Sequence, residues 1–182
     1  MFQDATWFID KSRAGRGALI DIGVYRIDIM LWFLGNPKVK NVLCTTYQGI
    51  GVPAPAPLKQ TVEDHVTLMF TCENGASGLL EIAWASNMAG ADTTIILGSE
   101  AGLRFNPLTK ITGGPDRRAI EEPLLTVPDR DNSDFGDVTI QFVRAIQAGR
   151  QPQTPARDAL ELARVIDAAY RSVATERAVE LS

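Results

Sequence analysis

The stretch Ala14 to Gly35, AGRGALIDIGVYRIDIMLWFLG, limits what this chain can fold into more than any other. A glycine-rich approach runs into a proline-free, almost wholly apolar segment, and Gly35 followed by Asn36-Pro37 supplies a stop. Gly accepts the left-handed conformation just past a helix, and Pro cannot continue one. A helix from about Ala18 to Leu34 is therefore expected. Spacings of 4, 3 and 4 residues put Asp21, Tyr25, Asp28 and Trp32 on one face of it. Because nearly everything else in it is apolar, the helix is expected to be buried, with each polar group needing a partner. On periodicity alone it is a core helix in which Asp21 helps cap the first turn and Tyr25 and Asp28 bond to each other.

Beyond Pro37 the chain alternates as strands do. Lys38 to Gln48 is rich in β-branched residues, and Gly49 to Gln60 carries Pro53, Pro55 and Pro57 in an extended connection. Val66, Leu68 and Phe70 then alternate with Thr67 and Thr71; Asn74-Gly75 supplies a pair favoured in tight two-residue turns, and Leu80, Ile82 and Trp84 continue on the return strand. Thr93 to Leu97 and Leu103 to Phe105 predict a second hairpin, with further short strands at Ile111, Ile120 and Leu124 to Val127. Helices return at the end. Phe135, Val138, Phe142, Val143 and Ile146 form an apolar stripe that stops at Gly149. Thr154-Pro155 offers an N-cap followed by Pro at the first helical position of a helix reaching about Thr175. A last strand, Ala178 to Leu181, is placed to join the sheet. Helix, antiparallel strands, then helices is the pattern of an α+β domain, a predominantly antiparallel open β-sheet with helices packed on one face. Leu79, Ala83 and Ala85 lie opposite Leu80, Ile82 and Trp84, so the other face carries apolar groups as well, and a homodimer through that open face is expected.

At 182 residues one domain, 1–182, is enough, with a core burying about 70% of the unfolded surface. A net charge of −4 argues against nucleic acid or anionic membrane as partner, since both need clustered Lys and Arg. No apolar run approaches the ~18 residues of a membrane span, and the N-terminus lacks the regions of a signal peptide, so a cytoplasmic location is expected. Cys44 and Cys72 have no CxxC spacing and read as buried reduced thiols. His65, the one histidine, follows Glu63 and Asp64 in a strand whose successive side chains point to opposite faces, a poor chelate; no metal site is expected. Gly49-Ile-Gly51 lacks the third glycine of a dinucleotide fingerprint and runs into prolines.

The string from Gly15 to Asp28, GRGALIDIGVYRID, resembles the GGGxLxDxGxHxxD signature of the second domain of the Gfo/Idh/MocA oxidoreductases. These are NAD(P)-dependent dehydrogenases that pair a Rossmann domain with a substrate-binding and dimerisation domain of glyceraldehyde-3-phosphate dehydrogenase-like C-terminal fold. Glu63-Asp64, Asn74-Gly75-Ala76, Gly98 to Gly102 and Asp167 to Ser172 fall where that family has similar strings, in the same order. Two positions depart from the signature: Arg16 replaces its middle glycine, and Tyr25 its histidine. Tyrosine there is similar to the branch containing glucose-fructose oxidoreductase and dihydrodiol dehydrogenase. The family's Rossmann domain and its catalytic lysine have no counterpart in these residues. The resemblance implies NAD or NADP bound mainly by that other domain, with no cofactor expected in this chain alone. It implies a small polar substrate, a sugar, polyol or diol, with Tyr25 as acid/base at the reacting hydroxyl, Asp21 as its polar partner and Asp28 as a substrate ligand.

Elementary electrostatics adds a condition. A phenol ordinarily titrates near ~10, and a base working at pH ~7 needs about 4 kcal/mol of differential stabilisation of its anion. A neighbouring carboxylate acts in the opposite sense. A cation is required, and Arg26 lies about 100° round the helix from Tyr25, while Arg16 reaches it only if the loop folds back. Three readings compete: the substrate half of an NAD(P)-dependent dehydrogenase, a non-catalytic binding or assembly module on the same scaffold, and a cofactor-independent enzyme using Asp21 and Tyr25 as an acid/base pair.

Overall fold

The computed structural model describes residues 7–50, 58–86, 92–105, 107–114, 116, 118–124 and 134–181. They form two compact units, residues 1–87 with 154–182 and residues 88–153.

The first unit holds helix α1 (Lys11–Ala14), a π-helical turn (Leu19–Gly23) that runs directly into α2 (Val24–Phe33), strands β1 (Val39–Tyr47), β2 (His65–Cys72) and β3 (Ser77–Ala83), helix α4 (Ala156–Thr175) and strand β8 (Val179–Glu180). Its sheet has the order β3-β2-β1-β8, antiparallel throughout. The expected opening helix is thus present over nearly its predicted length. It ends as anticipated, with Gly35 at φ 83° and the Asn36 N–H donating to the Leu31 carbonyl at 2.8 Å.

Alternation decides which side of the sheet is covered. Val42 and Cys44 of β1, Val66, Leu68 and Phe70 of β2 and Leu80 of β3 are buried under Ile27 and Leu31 of α2 and Leu162, Val165, Ile166 and Ala169 of α4. Both helices therefore pack on one face. Gly78 is part of that fit, since a Cβ there would come within 2.4 Å of the Phe70 ring and 2.5 Å of the Met30 methyl. The buried Ser172 hydroxyl of α4 accepts the Cys44 N–H at 2.9 Å, fixing helix against strand. On the other face Leu43, Met69 and Leu79 stand directly opposite one another across β1, β2 and β3, with 46%, 46% and 72% of their surface exposed.

Three local expectations are corrected. The opening helix is one-sided, not buried all round: Ile20, Tyr25, Asp28, Ile29 and Trp32 are exposed, while Leu19, Ile27 and Leu31 enter the core. The β2–β3 turn is Glu73-Asn74-Gly75, closed by the Cys72 N–H on the Ala76 carbonyl at 2.8 Å; only Gly75 adopts a positive φ, whereas the type I′ turn that Asn-Gly favours needs two such residues. Helix α4 begins at Ala156 with Pro155, not Thr154, in the capping position.

The second unit contains β4 (Ile95–Leu97), β5 (Gly102–Arg104), β6 (Thr109–Gly113) and β7 (Ala119–Pro123), a separate antiparallel sheet in sequential order, and helix α3 (Asp134–Gln147). Val138, Phe142, Val143 and Ile146, expected as an apolar stripe, are exposed. The expected strand at Leu124 to Val127 and Pro53, Pro55 and Pro57 fall largely or wholly outside the described residues. No described helix is long and apolar enough to cross a membrane.

Candidate functional site

The helix that carries Asp21 and Tyr25 starts against a residue far away in sequence. An α-helix leaves its first N–H groups without partners, and here Glu63 takes them. Its backbone carbonyl accepts from Ala18 N–H at 3.0 Å, and its carboxylate Oε1 accepts from Gly17 and Leu19 N–H at 3.0 and 3.4 Å. Asp21, expected to help with this cap, does not supply it. The fit at Gly17 is close enough that a Cβ would fall 1.9 Å from the Glu63 carbonyl oxygen.

A third donor reaches the same carboxylate oxygen from α4: the Tyr170 hydroxyl, at 2.8 Å. Burial first, and then the Glu63 carboxylate, hold the Tyr170 hydroxyl far above the ordinary tyrosine range, so it stays a neutral donor. Arg16, one of two cations considered for Tyr25, instead lies over the Tyr170 ring, 4.3 Å from its centroid. Nearby, burial pushes the Cys44 thiol up to about 12, with the Glu63 charge contributing in the same sense.

Asp64 works beside Glu63. Buried itself, it accepts from Gly49 and Ile50 N–H at 3.0 and 3.1 Å, anchoring the start of the proline-rich connection. Its carbonyl accepts the Trp84 N–H at 2.9 Å just beyond β3, and the Trp84 indole Nε1–H donates to Asp21 Oδ2, also at 2.9 Å. The Phe8 ring seats against Trp84 at 5.5 Å between centroids. The Asp21 carboxylate is therefore held by Trp84, not by Tyr25. Its second oxygen carries no hydrogen bond among the described residues, and neither does the hydroxyl of Tyr25, which is 67% exposed. Asp28 and Trp32 are exposed on the same helix.

Asp21 occupies the middle of the π-helical turn, a form that inserts one extra residue and recurs at functional sites. A fixed carboxylate with one open oxygen, a free phenol one turn on and a second exposed carboxylate make acceptors and a proton-transfer group for a hydroxylated small molecule. The glycine-rich approach to this helix does not fit the pyrophosphate of a nicotinamide dinucleotide. Gly15-Arg16-Gly17 follows a helix where the dinucleotide fold needs a strand, and the N–H groups that would receive a pyrophosphate are taken by Glu63. Among the described residues no group of three His, Cys, Asp or Glu side chains is placed to hold a metal ion; His65 pairs with Glu81 at 3.1 Å.

A family model of the GFO/IDH/MocA C-terminal domain matches residues 1–104. The chain belongs to this family. It is 26% identical over 187 residues to the D-glucoside 3-dehydrogenase of Escherichia coli (strain K12), an alignment covering 96% of the chain and 51% of that protein. The oxidoreductase domain protein from Kribbella flavida superposes with a TM-score of 0.80 at 25% identity, over 97% of the chain and 53% of its own. A levoglucosan dehydrogenase complexed with NADH and levoglucosan gives 0.76 at 24% identity, over 96% and 53%. The chain thus spans about half the length of the relatives it resembles, and their shared fold is the α+β architecture described above.

The helix carrying Asp21 and Tyr25 is legible in the sequence, and the residues that hold it are not. Glu63-Asp64 and the Asp167 to Ser172 string had only a family position, without a role. Trp84 stood as the last apolar position of a strand. An acidic pair just ahead of an alternating strand was the available signal for a cap supplied from a distance, but pairing it with Gly17 requires the fold.

Proposed function

We propose that this chain is the substrate-binding half of a nicotinamide-dependent oxidoreductase acting on a hydroxyl or carbonyl of a sugar, polyol or diol. The observation that carries this reading is the family's signature helix presenting Asp21 and Tyr25, each with an oxygen that carries no hydrogen bond among the described residues. Tyr25 exchanges the proton of the reacting hydroxyl, Asp21 accepts from a neighbouring hydroxyl through Oδ1, and Asp28 offers a further acceptor. The dinucleotide, NAD or NADP, is held by residues other than those described; a second domain also supplies the positive charge that Tyr25 needs as a base. Tyrosine at this position favours the glucose-fructose oxidoreductase and dihydrodiol dehydrogenase branch. The exposed row Leu43, Met69 and Leu79 supports a homodimer through the open face.

The test is Tyr25→Phe in the enzyme assembled with its dinucleotide domain. Loss of a proton-transfer group lowers kcat by roughly 10²- to 10⁴-fold, with KM nearly unchanged because the ring remains. Undiminished turnover refutes the role. Micromolar binding of NAD(P)H by these 182 residues alone, read by nucleotide fluorescence, refutes the division of labour. A non-catalytic binding module on the same scaffold is favoured by one observation, that Arg16 is stacked on Tyr170 and so is not directed to Tyr25. That reading expects sugar binding without turnover in the assembled protein.

A further inference from the structure

The Glu63-Asp64 pair has no part in the chemistry just proposed, yet both of its residues connect to Asp21. Glu63 receives three donors on one carboxylate oxygen, two from the start of the signature helix and one from α4, while its carbonyl holds Ala18. Asp64 anchors the backbone of Trp84, whose indole fixes Asp21 Oδ2. One end of this arrangement sets where the helix begins and how it is turned. The other sets which way the Asp21 carboxylate points. A helix N-terminus is most often capped by its own flanking residue; a cap from 44 to 46 residues away ties the helix's position to the sheet edge that carries Trp84.

We infer that Glu63 is a positioning residue for the Asp21 and Tyr25 face, acting through the start of the signature helix, with Tyr170 as the donor that holds the Glu63 carboxylate in place. The inference rests on the reading that this face meets substrate. Tyr170 suits the task because it remains protonated, and Arg16 over its ring fixes the ring's place. Glu63 suits it because one oxygen serves backbone and side-chain donors together, so the helix start, the sheet and α4 cannot shift independently.

The experiment compares Glu63→Gln with Glu63→Leu. Gln keeps an acceptor oxygen for Gly17 and Tyr170; Leu keeps bulk and removes it. Two readouts are used. The Trp84 indole N–H resonance in the 182-residue chain, assigned through its loss in Trp84→Phe, reports the contact with Asp21. Kinetics of the assembled holoenzyme report the site. In Glu63→Leu the indole resonance moves toward its position in Asp21→Ala and kcat falls about 10- to 100-fold, the cost of misplacing a reacting group by a fraction of an ångström to one ångström, with KM within threefold. In Glu63→Gln both return to near wild type. If Glu63→Leu does not fold, Tyr170→Phe, which removes one donor of three, gives the same direction of change at a smaller size. An unmoved resonance and unchanged kcat in a folded Glu63→Leu or Tyr170→Phe protein overturns the inference even where Tyr25→Phe abolishes turnover. A moved resonance alongside an active Tyr25→Phe enzyme overturns the catalytic reading and leaves the positioning role standing.

Discussion

Replacing Gly17 by alanine tests the helix start most directly. The added Cβ would stand 1.9 Å from the Glu63 carbonyl oxygen. Because that oxygen is backbone, no side-chain rotation relieves the clash, and segment and strand must separate by about 1 Å or more to reach ordinary contact. Hydrogen bonds of 3.0 Å stretched by that amount are no longer hydrogen bonds. Two are at stake: the neutral Ala18 N–H to Glu63 carbonyl bond, worth about 1 kcal/mol, and the charge-assisted Gly17 N–H to Glu63 carboxylate bond, worth about 1.5 to 3 kcal/mol. Alanine restricts the unfolded chain more than glycine and returns roughly 0.4 to 1 kcal/mol. The net loss is about 2 to 3 kcal/mol, or a fall in Tm of roughly 5 to 10 °C for a chain of this size. Trp7, Trp32 and Trp84 are the chain's three tryptophans and all lie in the first unit, so urea unfolding followed by tryptophan emission reads the stability of this unit. Gly35→Ala is the control. It meets nothing within 4 Å and carries only the cost of its φ of 83°, about 1 kcal/mol. If Gly17→Ala is no more destabilising than Gly35→Ala, the close approach to Glu63 does not hold the helix start.

Cys44 and Cys72 are buried with raised pKa values, so the native chain shows almost no thiol reactive to a disulfide reagent at pH 8 and two after denaturation; a fast-reacting native thiol contradicts the packing of α4 on β1. Folding holds the protons of Cys44, about 12, and Tyr170 more tightly than the unfolded chain does, so their stabilising contribution is complete below pH ~9 and lost as pH rises through the folded-state values. Urea midpoints at pH 8, 9.5 and 11 should therefore fall, and Tyr170→Phe should flatten the upper part of the curve; a level or rising series refutes this. Leu79→Lys places a charge in the exposed row of the open face and converts the proposed dimer to monomer in light scattering after size exclusion; a wild-type monomer at tens of micromolar, or a variant that remains dimeric, removes that surface from the proposal.

The fold was legible where periodicity and turn chemistry agreed. The alternation of Val66, Leu68 and Phe70, the Gly35 stop and the apolar face of α4 each specify a local structure and an inward side, and the structure keeps them. The opening helix misled because its composition is apolar nearly all round; what exposes Tyr25 and Trp32 is the arrangement of sheet and α4, which cover only the Ile27 and Leu31 side. The side chains of the candidate site are legible in the sequence, and the contacts that hold them are not. Asp21 and Tyr25 stand out by residue type and spacing, but the partners that fix the helix and Asp21 lie 44 to 63 residues away for Leu19, Gly17 and Asp21. No local pattern encodes such pairs, because each forms only when the helix start packs against segments flanking β2 and β3.

Those contacts also bear on which small molecules suit the face. Helix N-termini bind phosphate through N–H groups without partners and a favourable dipole, and in this helix a carboxylate already neutralises that end. The outward face adds Asp21 and Asp28, while Arg16 is stacked on Tyr170. Two unit charges 4 Å apart interact by about 1 kcal/mol in bulk water and about 4 kcal/mol near a protein surface. A phosphorylated sugar brought against two carboxylates therefore meets repulsion that a neutral sugar does not, and the same carboxylates are good acceptors for its hydroxyl groups. On the proposed reading, and before the positive charge of the second domain is counted, the charge that these residues present favours neutral polyhydroxyl substrates over phosphorylated ones.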